Sequence, residues 1–155
     1  MTEHNSRAED IVRKYADLIY RAAYQNLQSR ADAEDIFSEV CLVVLTKNPP
    51  EDSEEHLRKW LITVTLNKCR NLRKSWWRTR VDSIEEHLDI PSPEENREVM
   101  EELKQLPVNY RNVIYLYYYE EYTIAEIGEI LGKSPNTVST WLRRARKKLK
   151  DILEE

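Results

Sequence analysis

The sequence predicts an all-α protein built as two small helical domains joined by a flexible acidic linker, and three observations carry that expectation. Glycine is almost absent, with 2 in 155 residues, while Leu, Glu, Lys, Arg and Ala are abundant. Apolar residues recur at spacings of three and four, with no sustained alternation of period two. Between residues 81 and 93 the stretch VDSIEEHLDIPSP breaks that rhythm and carries two prolines, as an extended connection would.

The elements follow in order. Ile11, Val12, Tyr15, Leu18, Ile19, Ala22, Ala23 and Leu27 trace one stripe, predicting a first helix over about residues 8–28. Ala33, Ile36, Phe37, Val40, Cys41, Val44 and Leu45 repeat the pattern over 32–46, and Asn48, Pro49 and Pro50 end it. Asp52 with Glu55 can cap a third, longer helix over 53–79, in which Leu57, Trp60, Leu61 and Val64 face the other two. Beyond the linker, Ser92, Pro93 and Glu95 form a start signal for a helix to Gln105, and Pro107 opens the next. The cluster Tyr115, Tyr117, Tyr118, Tyr119 and Tyr122 should pack its rings and leave hydroxyls at the surface.

The most informative segment is TIAEIGEILGKSPNTVSTWLRRARKKLK at 123–150. Thr123 and Glu126 have capping-box spacing, Gly132 can end the first helix in a left-handed turn, and Ser134 followed by Pro135 restarts the next one. Two short helices around so tight a turn are the layout of a DNA-reading helix-turn-helix. In the second helix Val138, Leu142, Ala145, Leu149 and Ile152 form the inward stripe. The outward positions Ser134, Asn136, Thr137, Ser139, Thr140, Arg143, Arg144 and Lys147 are the candidate DNA-binding residues, hydroxyls and amides for base edges and cations for phosphates. Gly128 inside the first helix costs about 1 kcal/mol relative to alanine, and a close crossing of the two helices would account for it.

The formal charge is -4, but its distribution matters more than its sum. From Trp60 to Arg80 there is no acidic residue, whereas Asp82, Glu85, Glu86, Asp89, Glu94, Glu95, Glu98, Glu101 and Glu102 face only Arg97 and Lys104. Two basic clusters, at 60–80 and 143–150, are therefore separated by a segment that DNA repels. In the first cluster, Asn67, Arg70, Asn71, Arg73 and Lys74 with Trp76 and Trp77 supply the mixture of cations, amides and aromatic rings that holds a nucleic-acid backbone while bases stack. Trp60, by contrast, should be core.

Other classes are disfavoured. Cys41 and Cys69 are isolated, no Cys or His pair has metal-ligand spacing, and there is no glycine-rich phosphate loop, so no metal, cofactor or disulfide is expected. His4, His56 and His87 lack nucleophile partners in sequence, which argues against an enzyme. The charged N-terminus lacks a signal core and no apolar run is long enough to span a bilayer, so the expected location is cytoplasmic, without membrane insertion.

The segments DAEDIFSEVCLVVL at 32–45, WLITVTLNKCRNLRK at 60–74 and LPVNYRNVIYLYYYEEYTIAEIGEILGKSPNTVSTWLRRARKKL at 106–149 together resemble the group IV, or extracytoplasmic-function, sigma factors of bacterial RNA polymerase. The likeness covers most of the chain, in the same order. It implies a region 2 domain at 8–80, a linker at 81–92 and a region 4 domain at 93–155, with bacterial RNA polymerase core, promoter DNA and an anti-sigma factor as partners. By the same resemblance Asp35, Ser38 and Glu39 lie where region 2 docks on the coiled-coil clamp of the largest polymerase subunit. The loop from Lys47 to His56 matches the segment that captures a flipped minus-10 base, and Asn67, Arg70, Asn71, Arg73 and Lys74 match the helix that holds the melted strand. Ser38, Asn71, Gly128 and Trp141 depart from the family's usual glutamine, aspartate, alanine and basic residue. Two alternatives stand beside it: a helix-turn-helix regulator acting without polymerase, which leaves the 60–80 cluster unexplained, and a sigma-like decoy for an anti-sigma factor, against which the intact basic faces argue.

Overall fold

Residues 2–79 and 103–154 are described in the computed structural model of the chain, with side chains from 6 to 76 and from 103 to 154. The linker and the start signal at Ser92, Pro93 and Glu95 lie outside them. The chain divides into two compact units, Met1–Pro91 and Ser92–Glu155.

In the first unit three helices pack on one another: α1 (Thr2–Leu27), α2 (Arg30–Thr46) and α3 (Glu54–Thr79). Gln28 ends α1 in a left-handed conformation, φ 56°, with its N–H donating to the Tyr24 carbonyl at 2.7 Å. A side chain in that region costs about 1–2 kcal/mol, which glycine would avoid. Ser29 then caps α2, accepting from the Asp32 N–H at 3.2 Å, so only two residues separate the helices. Ile19, Ala22, Ala23, Ala33, Ile36, Val40, Leu61 and Ile62 are sealed from solvent. Burial of each large aliphatic contributes about 1.5–3 kcal/mol, and the alanines let the helix axes approach closely.

Two details differ from the sequence expectation. The cap of α3 is Ser53, whose Oγ accepts from the His56 N–H at 3.0 Å; Asp52 instead bonds the His56 ring at 2.7 Å. The inward stripe of α3 runs Leu57, Leu61, Ile62, Thr65, Leu66, Cys69, leaving Trp60 and Val64 half-buried. Steps of four keep that stripe on one side of the helix, and the Thr65 hydroxyl is satisfied by donating to the Leu61 carbonyl at 2.7 Å. On α2, Phe37 and Cys41 are half-buried and Leu45 is exposed.

The second unit begins, among the described residues, with a 3-10 turn at Leu103–Gln105. Pro107 leads into α4 (Val108–Ile114), which continues into a π-helical turn at Tyr115–Tyr119 before α5 (Ile124–Leu131) and α6 (Pro135–Leu153). Both α4 and α5 pack on α6. The π turn is closed by the Glu120 N–H on the Tyr115 carbonyl at 3.1 Å, and the buried Tyr115 hydroxyl donates to the buried Glu120 carboxylate. Arg111, also buried, donates to the Leu106 carbonyl at 2.6 Å and so ties α4 to the preceding turn. Tyr118 and Tyr119 remain at the surface, whereas Tyr115 is wholly inside.

Candidate nucleic-acid interface

The turn between α5 and α6 is built as its sequence requires. The Thr123 hydroxyl accepts from the Glu126 N–H at 3.1 Å while the Glu126 carboxylate accepts from the Thr123 N–H at 2.9 Å, closing the capping box. Gly132 adopts φ 68°, and Ser134 caps α6 by accepting from the Thr137 N–H at 3.2 Å, with Pro135 in the first turn. Gly128 is explained by the turn rather than by helix crossing: a Cβ there would lie 2.6 Å from the Lys133 carbonyl oxygen. The Lys133 N–H in turn donates to the Gly128 carbonyl at 2.9 Å.

With Val138, Leu142 and Ala145 buried, α6 presents Asn136, Ser139, Arg143, Arg144 and Lys147 to solvent, with Thr137 and Thr140 half-exposed beside them. Arg143, Arg144 and Lys147 are exposed, and no ion pair engages them among the described residues. Ser134 is committed to its cap and to the Thr137 hydroxyl, 3.0 Å away. Arg146 is different. Its Nε donates to the Tyr118 hydroxyl at 2.6 Å and its guanidinium lies 5.5 Å from the Tyr117 ring centre and 5.6 Å from that of Tyr118. That arginine braces α6 against the π turn. Trp141 is half-buried with the Lys133 ammonium 5.9 Å from its ring centre.

In the first unit the late turns of α3 gather Asn67, Arg70, Asn71 and Lys74 on one exposed face, as spacings of three, four and seven dictate. Arg70 donates to the Asn67 side chain at 3.0 Å, and neither Arg70 nor Lys74 is held by an ion pair among the described residues. Arg73 does not join them. Its Nε donates to the Asn26 side chain at 2.9 Å, its Nη2 donates to the Asn26 carbonyl, and its guanidinium stacks 5.6 Å from the Trp76 ring centre. Burial lowers its pKa, opposed by Cys69 and Asp32, as expected of a cation drawn inward to hold the end of α1. Trp76 is half-buried, and the Trp77 side chain lies outside the described residues.

On α2, Asp35, Ser38 and Glu39 are exposed together. Glu39 shares its charge with Lys68 of α3, 3.7 Å away. Leu42, 61% exposed, and Leu45, 40% exposed, continue this face, an apolar extension that the sequence analysis missed. The signal was present, because Leu42 falls off the stripe of Ala33, Ile36, Val40 and Val44. In the α2–α3 loop Lys47 and Asn48 are exposed and Pro49 is buried. The hydrogen bond from His56 holds the Asp52 carboxyl below its ordinary range. Among the described residues no helix is long and apolar enough to cross a membrane, and no three His, Cys, Asp or Glu side chains gather as a metal site would require.

A helix-turn-helix with a free cationic face, and a separate three-helix unit with a second one, define a helical DNA-binding protein of two modules. The family model for Sigma-70 region 2 matches residues 11–79 and that for Sigma-70, region 4 matches 96–149. The chain belongs to the sigma-70 family, in its extracytoplasmic-function group, whose members act with RNA polymerase in promoter-specific transcription initiation and carry out no covalent chemistry.

Among curated proteins it is 27% identical to the ECF RNA polymerase sigma factor SigE of Mycolicibacterium smegmatis, an alignment covering 94% of this chain and 61% of that one. It is also 27% identical to the ECF RNA polymerase sigma factor SigW of Bacillus subtilis, covering 94% and 88%. The sigma factor RpoE of Bartonella quintana, solved in complex with the anti-sigma factor NepR, has the same fold at TM-score 0.80 and 17% identity, covering 94% of this chain and 96% of that one.

Proposed function

We propose that residues 93–155 read the minus-35 element as duplex while residues 8–80 dock on core polymerase and hold the melted minus-10 strand, with 81–92 as the linker. Asn136, Thr137, Ser139 and Thr140 near the start of α6 meet base edges in the major groove, and Arg143, Arg144 and Lys147 meet phosphates. Ser134 contributes through its cap. Asp35, Ser38 and Glu39 present an acidic face to the polymerase clamp, with Leu42 as the apolar anchor at its centre. Asn67, Arg70, Asn71 and Lys74 hold the single strand, Trp77 stacks at its edge, and the 47–56 loop captures the flipped base. Arg73 serves by holding α3 in place.

Opening is then driven by binding. Unstacking a base costs a few kcal/mol, and a surface that binds only the separated strand shifts the duplex toward the open form by its differential affinity. The protein works in the cytoplasm, and an anti-sigma factor, such as the one bound to the Bartonella structure, restrains it.

The observation that carries this reading is that each unit holds, on a single helix face, its own cluster of exposed cations that form no ion pair among the described residues. Runoff transcription with core polymerase on genomic fragments tests it: discrete start sites sharing two spaced elements are expected. A chain that never comigrates with core and starts no transcript would overturn it.

A further inference from the structure

The α2–α3 loop is held from outside by the first helix. Arg7 of α1 donates from Nη1 to the Pro49 carbonyl at 3.2 Å and from Nη2 to the Pro50 carbonyl at 2.7 Å, with its Nε 3.7 Å from the Glu51 carboxylate. One planar fork therefore grips three successive loop residues more than forty positions away in sequence, a geometry that a lysine ammonium does not match. Two turns further along α1, Lys14 pairs with the Glu54 carboxylate at the start of α3. The prolines have fixed φ and no N–H, so their carbonyls are the hydrogen-bonding groups through which this segment can be fastened.

At the upstream end the Lys47 N–H donates to the Val43 carbonyl at 2.8 Å, and at the downstream end Ser53 caps α3. Between these fixed points Pro49 is buried, while Lys47 and Asn48 stand in solvent. The exposed tip is thus displayed on a braced frame.

We propose that Arg7 is a positioning residue for base capture: its fork on the Pro49 and Pro50 carbonyls sets the Lys47–Asn48 tip before DNA arrives, so ordering the tip is not charged against binding. This rests on the assignment of the loop as the base-capturing segment. Arg7 itself touches no base.

The test uses holoenzyme on a promoter mapped by runoff, with each of the four bases placed in turn at each minus-10 position. Open complexes are measured by permanganate footprinting, and core affinity is measured separately. Asn48→Ala should lose base discrimination at one position. Arg7→Ala should reduce the same discrimination about fivefold, the factor that corresponds to ordering about one backbone residue. Arg7→Lys should restore only part of it, with core affinity unchanged in all three.

If Asn48→Ala loses discrimination and both Arg7 variants keep it, the positioning role is wrong and the loop assignment stands. If none of the three changes discrimination, the loop assignment itself falls and the proposal with it. Should Arg7→Ala fail to fold by circular dichroism, Arg7→Lys decides by the same readout.

Discussion

Gly128 and Cys69 show how single atoms govern each unit. Replacing Gly128 by Ala gains about 1 kcal/mol of helix propensity but sets a Cβ 2.6 Å from a backbone oxygen that cannot rotate away. Overpacking of this kind costs about 1–3 kcal/mol, and moving the Lys133 carbonyl also disturbs the Ser134 cap, itself worth about 1 kcal/mol. The expected result for Gly128→Ala is a net loss, read as faster hydrogen exchange at α5 and early α6 amides. Exchange as slow as in the parent would show that the turn yields. Cys69 is sealed between helices, and burial pushes its thiol from 9.0 up to about 12. A folded pKa above the unfolded one gives stability that is full below pH 9 and is lost as pH rises toward 12. The difference in urea stability between the parent and Cys69→Ala should therefore narrow above pH 9, by on the order of 1 kcal/mol per unit. A difference independent of pH would mean that the thiolate is accommodated in the fold.

Arg73 and Arg70 lie on the same helix, in the same basic run, and do different things. Arg73→Ala removes charge-assisted hydrogen bonds to a buried asparagine at the end of α1, so unfolding stability should fall by about 2–3 kcal/mol. Arg70→Ala removes an exposed cation and should leave the urea midpoint unchanged while weakening binding to a single-stranded minus-10 oligonucleotide. Equal stability losses in the two variants would refute the division. Composition could not separate these arginines, because Arg73 is defined by a partner 47 positions away. The same holds for Arg7 and the prolines it grips. What the sequence did make legible was local: the Thr123–Glu126 box, Gly132 and the Ser134–Pro135 start are relationships within four residues, and all formed as expected. The phase of α3 was less legible, since apolar residues at both Trp60 and Ile62 permit two stripes and only packing against α1 and α2 selects one. The π turn left no trace in a run of tyrosines, because an i to i+5 bond carries no residue signature of its own.

A chain of net charge -4 that binds a polyanion must depend on where its cations point, which the salt dependence of binding can measure. Each phosphate neutralised on duplex DNA releases condensed counterions and adds about 0.9 to the slope of log affinity against log salt. Arg143 and Arg144 project from α6 without partners among the described residues, whereas Arg146, on the same helix and of the same charge, is spent on Tyr117 and Tyr118. Arg143→Ala and Arg144→Ala should each lower the slope for holoenzyme on a mapped promoter by about 1 and weaken binding about tenfold at 0.1 M salt. Arg146→Ala makes the same change in net charge and so controls for long-range effects. It should leave the slope intact and register instead as looser packing of α6 on the π turn, seen as faster hydrogen exchange there. If all three variants shift the slope alike, the total charge of the domain governs binding and the division of labour along α6 is wrong. If only the first two do, the face of the helix governs it, and a net anionic protein holds DNA through the few cations that its own fold leaves unengaged.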